Sequence, residues 1–255
     1  MADLEVASRI RLLDATFNSI TRAQAASLVD EWVAKRDRPR IVTVRDAALT
    51  MRTRDEPALA SFYEGVDLVL VDGRGLYYAS KMLGSPLPEM VGGPGLYYEL
   101  LRRSDRNGYK AFLLGARQPV VDAAAANIRA RHPGVKLVGV ENGYYKDDEI
   151  PAILGRIKSA LPALVFVGTT PPRREVLLAA IRDAKIPCVA MGIGGLFDVE
   201  AGMARHAPEW IARSGFEWLY RGLQEPTRLL PRYFSTHPRF VLLLLRELVL
   251  GARGR

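Results

Sequence analysis

The chain is poor in the residues that mark several common protein classes. Its one cysteine, Cys188, sits in the apolar stretch Ile186 to Ile193, which excludes an internal disulfide and predicts a buried thiol in a reducing compartment. Its three histidines, His132, His206 and His237, lack zinc spacing. No run of 18 apolar residues is present, and the stretch from Met1 to Phe17 has no long apolar segment of a secretory signal. A cytoplasmic protein that does not cross the membrane is expected. No Gly-x-Gly-x-x-Gly follows the first core strand, which argues against a nicotinamide-dependent oxidoreductase. No Asp-x-Asp occurs to hold a divalent metal, and Asp147, Asp148 and Glu149 read instead as the acidic first turn of a helix.

What is present suits one substantial core, or a core with a small appendage: 255 residues, 49% hydrophobic and 25% charged. The net charge of +8 is uneven, with nine arginines against four glutamates from Arg205 onward. Such a segment favours an anionic surface, and without an accompanying RNA- or DNA-binding motif the membrane is the expected one rather than nucleic acid.

The pattern is organised around Val66 to Gly75, where an uninterrupted apolar run ends in Asp72 and Gly73. A run of that kind reads as a strand buried on both faces of a parallel sheet. Asp72 then lies at the carboxyl end, where open α/β sheets bind ligands; capping the next helix is the alternative reading. Further strands are predicted at Arg40–Val44, Lys110–Leu114, Val135–Val140, Ala163–Val167 and Ile186–Ile193. A short edge strand is expected at Ile10–Leu13. Helices are predicted between them, the first over Arg22–Lys35 behind a Thr21/Gln24 capping box and another from about Leu96 to Arg103. The fold expected is α/β, a Rossmann-like parallel sheet with helices on both faces and right-handed crossovers. Strands stop after Gly194, so the division expected is an α/β core over 1–195 and a helical, arginine-rich, membrane-proximal segment over 196–255. Arg239, Arg246 and Arg253 recur every seven residues, predicting an apolar helix with a basic stripe, starting after Pro238 and lying in the membrane interface. Subunit packing is the competing use of that helix, and self-association is expected when its apolar surface leaves the membrane.

Loops at strand ends supply the candidate site. Gly168, Thr169 and Thr170 lead into Pro171-Pro172-Arg173-Arg174-Glu175, where the threonines are expected to cap a helix whose first N–H groups hold phosphate. Gly194 and Gly195 allow close approach of a nucleotide, with Asp198 placed for a ribose hydroxyl or a helix cap. Tyr144 is placed to stack on a base or sugar, or simply to pack a turn.

Several ordered motifs then converge on one family. They are Asp72-Gly73, the stretch Gly168 to Glu175, Gly194-Gly195-Leu196-Phe197-Asp198, His206-Ala207-Pro208-Glu209-Trp210, Glu217-Trp218-Leu219-Tyr220-Arg221, Glu225-Pro226 and Arg232-Tyr233. Together, from about Leu12 to Tyr233, the chain resembles the TagA/CpsF/WecG-type bacterial glycosyltransferases. The resemblance implies an inverting enzyme that moves a sugar from a UDP-sugar to a polyprenyl-diphosphate-linked acceptor at the cytoplasmic membrane face, in exopolysaccharide, capsule or teichoic-acid-type synthesis. It also implies Asp72 as general base.

Three positions depart from the family pattern. Arg45 stands where an Asn is usual, Met90-Val91-Gly92-Gly93 where Arg-Val-Thr-Gly is usual, and Arg174 where a Gln is usual. Relocation of phosphate-binding charge is the expectation, with a catalytically degenerate sugar-nucleotide binder as the alternative. Thr43, Arg45, Gly73, Gly93, Arg174 and Glu175 are accordingly expected to bind substrate. Arg221, Arg228 and Arg232 are expected to meet the lipid diphosphate. Trp210, Phe216, Trp218 and Leu219 are expected to be core. No cofactor is expected.

Overall fold

The structure is a computed structural model, and it describes residues 8–204, 208, 211, 217–224 and 226–253. Six strands form one sheet in the order β4-β3-β8-β7-β5-β6, with every pairing parallel. They are β3 (Arg40–Arg45), β4 (Leu68–Val71), β5 (Lys110–Gly115), β6 (Lys136–Glu141), β7 (Leu164–Gly168) and β8 (Val189–Gly192). The central strands are apolar throughout because both faces are covered. On one face Val42, Leu70, Leu113 and Phe166 pack with α1 (Arg22–Lys35), α5 (Gly93–Asn107) and α6 (Gln118–Arg131). On the other, Ile41, Val71, Leu114 and Val167 pack with α2 (Ala47–Asp55), α3 (Pro57–Glu64), α4 (Arg74–Met82), α7 (Ile150–Ala160) and α8 (Arg173–Asp183). The period-2 alternation of each strand divides its residues between these two cores. The expected doubly covered sheet is therefore present.

Helix α1 begins at the Thr21/Gln24 capping box, both halves of which form. Four details differ from the sequence reading. Ile10–Leu13 is not a lone edge strand, because β1 (Arg9–Leu12) turns through Leu13 and Asp14 into β2 (Ala15–Asn18), a separate antiparallel hairpin. That turn takes positive φ at two non-glycine residues, 51° and 63°, so no Asn-Gly signal advertises it. The hairpin covers the sheet edge: Asn18 Oδ1 accepts the Val69 N–H at 2.8 Å, and Arg9 Nη2 donates to the Val66 carbonyl at 2.6 Å. Helix α5 starts at Gly93 rather than Leu96, because Pro94 fits its first turn. Helix α8 is not capped by the Thr169 or Thr170 side chain, its N-cap being Pro172 with no side-chain cap bond. Finally, the C-terminal helix runs over Pro226–Arg253 with Pro231 and Pro238 inside it, rather than starting after Pro238.

Short helix α9 (Leu196–Glu200) packs on α6, where Arg131 pairs with Glu200 and Asn127 donates to the Glu200 carbonyl at 2.7 Å. The C-terminal helix packs on α2, and Arg239 forms a two-pronged ion pair with Asp55 at 2.7 and 2.8 Å. Beside it Phe240 is buried against Gly75. Arg239 and Arg246, two of the three heptad arginines, are both exposed, and the side chain of Arg253 lies outside the described residues. Beside these arginines the helix also exposes apolar residues, namely Phe234, Val241, Leu242, Leu245, Val249 and Leu250. No helix among the described residues is long and apolar enough to cross a membrane.

Candidate active site

Strand β3 passes into α2 on one face of the sheet, while its neighbour β8 passes into α9 on the other. Loops that part in this way open a crevice at the carboxyl ends of the strands. A cleft lies there, with an empty volume of about 770 Å³ when the solvent at its mouth is included. Asp46, Asp72, Gly93, Thr170, Arg174 and Gly194 line it, joined by Gly195 and by Tyr233 from the C-terminal helix.

The Asp72 backbone N–H donates to the Arg45 carbonyl at 3.0 Å, continuing the β3–β4 ladder one residue past the strand. The carboxylate is thus carried by the sheet and not by a free loop. Gly73 follows with φ 84°, a conformation that favours glycine. The loop Gly84–Gly92 returns close beside Asp72: a methyl group built on Gly92 would stand 3.1 Å from Asp72 Oδ1.

Arg174 also lines the cleft. Its Nε donates to Glu175 Oε1 at 3.0 Å, and its Nη2 pairs closely with that same oxygen. Nη2 also donates to the Tyr63 hydroxyl at 3.1 Å, and that hydroxyl donates to Glu175 Oε1 at 3.3 Å. Burial works against the Arg174 charge, yet Tyr63 and Glu175 together hold its pKa above the ordinary arginine value. The arginine stem crosses Gly192 at the end of β8, where no Cβ stands in its way.

Thr43 and Arg45 do not reach the cleft. Side chains alternate along β3, so Val44 and Asp46 face the cleft while Thr43 and Arg45 are buried on the other side. The Arg45 guanidinium lies over the Tyr63 ring at 4.7 Å, and its Nη2 bonds closely to Thr53 Oγ1. Burial pushes the Arg45 pKa down to about 10, so the group stays charged at neutral pH. Glu175 sits behind Arg174 rather than beside the cleft. Gly168 is covered by Phe197 and the Gly194 carbonyl, and Thr169 is buried, its hydroxyl bonded to none of the described residues. Asp198 is half-buried in α9, where its carbonyl accepts the Met203 and Ala204 N–H groups. The side chains of Arg221, Arg228, Arg232 and Trp218 lie outside the described residues, as do Trp210 and Phe216; Leu219 is half-buried.

Of the expected residues, the cleft unites Asp72, Gly93, Thr170, Arg174, Gly194 and Gly195. Sequence reasoning missed Asp46 and Tyr233 as part of it. Asp46 caps α2, accepting the Leu49 N–H at 2.6 Å, and a capping pattern at a strand end was its only signal. Tyr233 is stacked on His237 at 5.0 Å, a pairing that helical spacing permits but does not assign to a cleft. Tyr144 is exposed, with the Arg117 guanidinium 6.0 Å from its ring. Among the described residues, no group of three His, Cys, Asp or Glu side chains converges to hold a metal ion.

Comparison with known proteins gives a concordant picture. Residues 10–254 match the family described as "Glycosyl transferase WecG/TagA/CpsF family". A protein of Bacillus spizizenii is 30% identical over 191 residues, covering 75% of this chain and 73% of its own length. A second, from Bacillus subtilis, is 30% identical over 181 residues, covering 71% and 69% respectively. Each of these two is named N-acetylglucosaminyldiphosphoundecaprenol N-acetyl-beta-D-mannosaminyltransferase.

Proposed function

The chain belongs to the WecG/TagA/CpsF family of glycosyl transferases, and on that premise we propose that it transfers a sugar, with inversion, from a UDP-sugar to a polyprenyl-diphosphate-linked acceptor during synthesis of a bacterial surface polysaccharide. The observation that carries this reading is a carboxylate, Asp72, on a residue held by the sheet in a cleft that Arg174 also lines. The names of the two relatives support a lipid-diphosphate acceptor.

Asp72 takes the proton from the acceptor hydroxyl as that oxygen bonds to the sugar's anomeric carbon. The bond from that carbon to the diphosphate oxygen breaks on the opposite face, and UDP leaves with the electron pair. The Arg174 guanidinium, at the start of α8, holds the departing charge. This group serves in place of a metal. Thr170, Gly194 and Gly195 form the nucleotide side of the cleft, and Gly93 the acceptor side beside Asp72.

The segment 196–255 is membrane-proximal on this reading, with the protein peripheral on the cytoplasmic face. Its support is the apolar outward face of the C-terminal helix, beside the exposed Arg246. When off the membrane, the same face favours a homo-oligomer.

The test is UDP release from a panel of UDP-sugars, with a synthetic polyprenyl-diphosphate sugar as acceptor, in the presence and absence of EDTA. Acceptor-dependent release that survives EDTA and is lost in Asp72→Asn is expected. UDP binding without release from any donor overturns the transferase reading, and loss with EDTA overturns its metal independence.

A further inference from the structure

The two arginines that distinguish this chain, Arg45 and Arg174, share one tyrosine. Tyr63 accepts a hydrogen bond from Arg174 Nη2 at 3.1 Å on its hydroxyl, and carries the Arg45 guanidinium 4.7 Å from its ring centre. All three side chains, with Glu175, are buried; Arg45 and Arg174 are each only 5% exposed. The cluster holds two guanidiniums against one carboxylate. Glu175 Oε1 takes both Arg174 bonds, and Arg45 is bonded to a hydroxyl, Thr53, rather than to an acid. Asp46, at the cleft, favours the charged form of both arginines, and Arg45 itself stays beneath the cleft bonded to no acid, where burial weakens the screening of its charge by solvent. Arg174 spends Nε and Nη2 on Glu175 and Tyr63, while Nη1 bonds to none of the described residues. Arg174 itself lines the cleft.

We infer that Tyr63 and Arg45 are positioning residues for diphosphate: Tyr63 fixes the Arg174 guanidinium so that Nη1 meets the anion, and Arg45, without touching it, supplies a buried positive charge beneath the cleft that strengthens its binding. The inference deepens the proposed function and rests on it for the identity of the anion's carrier, UDP. Three features agree with a built arrangement rather than incidental packing. A Cβ at residue 192 would stand 2.6 Å from Arg174 Cδ, so Gly192 provides the channel for the arginine stem. The Tyr63 ring is buried edge-to-face on Phe62, 5.3 Å between centres, and cannot swing away. Arg45 is flanked on its other side by Phe17, whose ring centre is 5.9 Å from the guanidinium. A cation held between aromatic faces keeps its charge while losing its water.

The test is calorimetric binding of UDP, inorganic pyrophosphate and uridine to the full chain. Wild type is compared with Tyr63→Phe, Arg45→Met, Arg45→Lys and the double variant Arg174→Gln/Glu175→Gln, which removes the wall cation without stranding a buried carboxylate. Expected are losses in UDP and pyrophosphate affinity of roughly tenfold or more for the double variant and about threefold to tenfold for Tyr63→Phe and Arg45→Met. Uridine affinity stays level throughout, and Arg45→Lys recovers part of the Arg45→Met loss. A uniform loss for all three ligands would mean that the cluster only supports the fold, and wild-type affinity in Tyr63→Phe and Arg45→Met would mean that neither residue positions anything; either result overturns the inference. If wild type binds pyrophosphate with this pattern but not UDP, the donor reading fails and the inference stands. If wild type binds neither, both fall.

Discussion

Arg174 crosses directly over Gly192: a methyl group on that glycine would lie 2.6 Å from Arg174 Cδ and 3.1 Å from its Nε. The last residue of β8 thus determines where the first turn of α8 can send its guanidinium. Gly192→Ala is expected to force the stem aside, costing about 1–3 kcal/mol of stability through overpacking. It is also expected to weaken UDP binding roughly tenfold, as lost charge-assisted bonds do. Urea unfolding and calorimetry on the same preparation check both numbers.

Asp72 is held in the cleft by the β3–β4 ladder, so Asp72→Asn changes the proton-accepting group with little change in shape. The expected result is a fall in kcat of roughly 10²- to 10⁴-fold, with KM for the UDP-sugar nearly unchanged. Steady-state transfer to a polyprenyl-diphosphate sugar measures it. Near-normal kcat would place the base elsewhere in the cleft, with Asp46 the next carboxylate to substitute.

Gly115 and Gly168, paired across β5 and β7, meet backbone to backbone. Gly115 has φ 156°, and a Cβ on it would stand 2.5 Å from three backbone atoms of Gly168. Backbone cannot yield as a flexible side chain can, so Gly115→Ala is expected to cost about 3 kcal/mol or more. Chemical denaturation followed by far-UV circular dichroism tests this.

The C-terminal helix holds Tyr233 at the cleft, and two contacts of unequal strength dock it. Phe240 is buried against Gly75, so Phe240→Ala is expected to cost about 3 kcal/mol. That loss is expected to quicken amide exchange across 226–253. Arg239 and Asp55 are half-exposed partners, open to water and salt. Arg239→Ala is expected to leave exchange and Tm almost unchanged, and hydrogen exchange with mass spectrometry separates the two cases.

Tyr63 predicts an alkaline weakness. Burial pushes its hydroxyl up to about 12 from an unfolded value of 10.0, so between those limits the unfolded chain has given up a proton that the folded chain keeps. The folded state is at full advantage below pH 10 and loses it as pH rises toward 12, on the order of 2 kcal/mol in all. Arg45 acts with the opposite sign, since its folded value of about 10 lies below the ordinary arginine value; the cost of burying its charge, full below pH 10, fades above it. Urea unfolding between pH 9 and 11 is expected to show a shallower decline in Tyr63→Phe than in wild type.

The sequence by itself determined the sheet, its strands and the position of Asp72. Apolar runs such as Leu68–Val71 and Leu164–Gly168 are buried on both faces, so their composition alone specifies a covered parallel strand. The ordered motifs likewise identified the family over most of the chain. Tertiary structure alone decided which side of each strand end faces ligand. Arg45 and Asp46 are neighbours in sequence, but the pleat sends one beneath the cleft and the other into it. It alone decided that Arg45 and Arg174, far apart in the chain, meet on Tyr63 from α3. The docking of the C-terminal helix was also undecided by spacing: the heptad leaves Arg239 and Arg246 exposed, but only the fold brings Asp55 on α2 to Arg239 and Gly75 under the neighbouring Phe240. Periodicity fixes which residues share a face, because local backbone geometry sets the period. Which face turns inward depends on partners contributed by remote elements, and those exist only once the chain has folded.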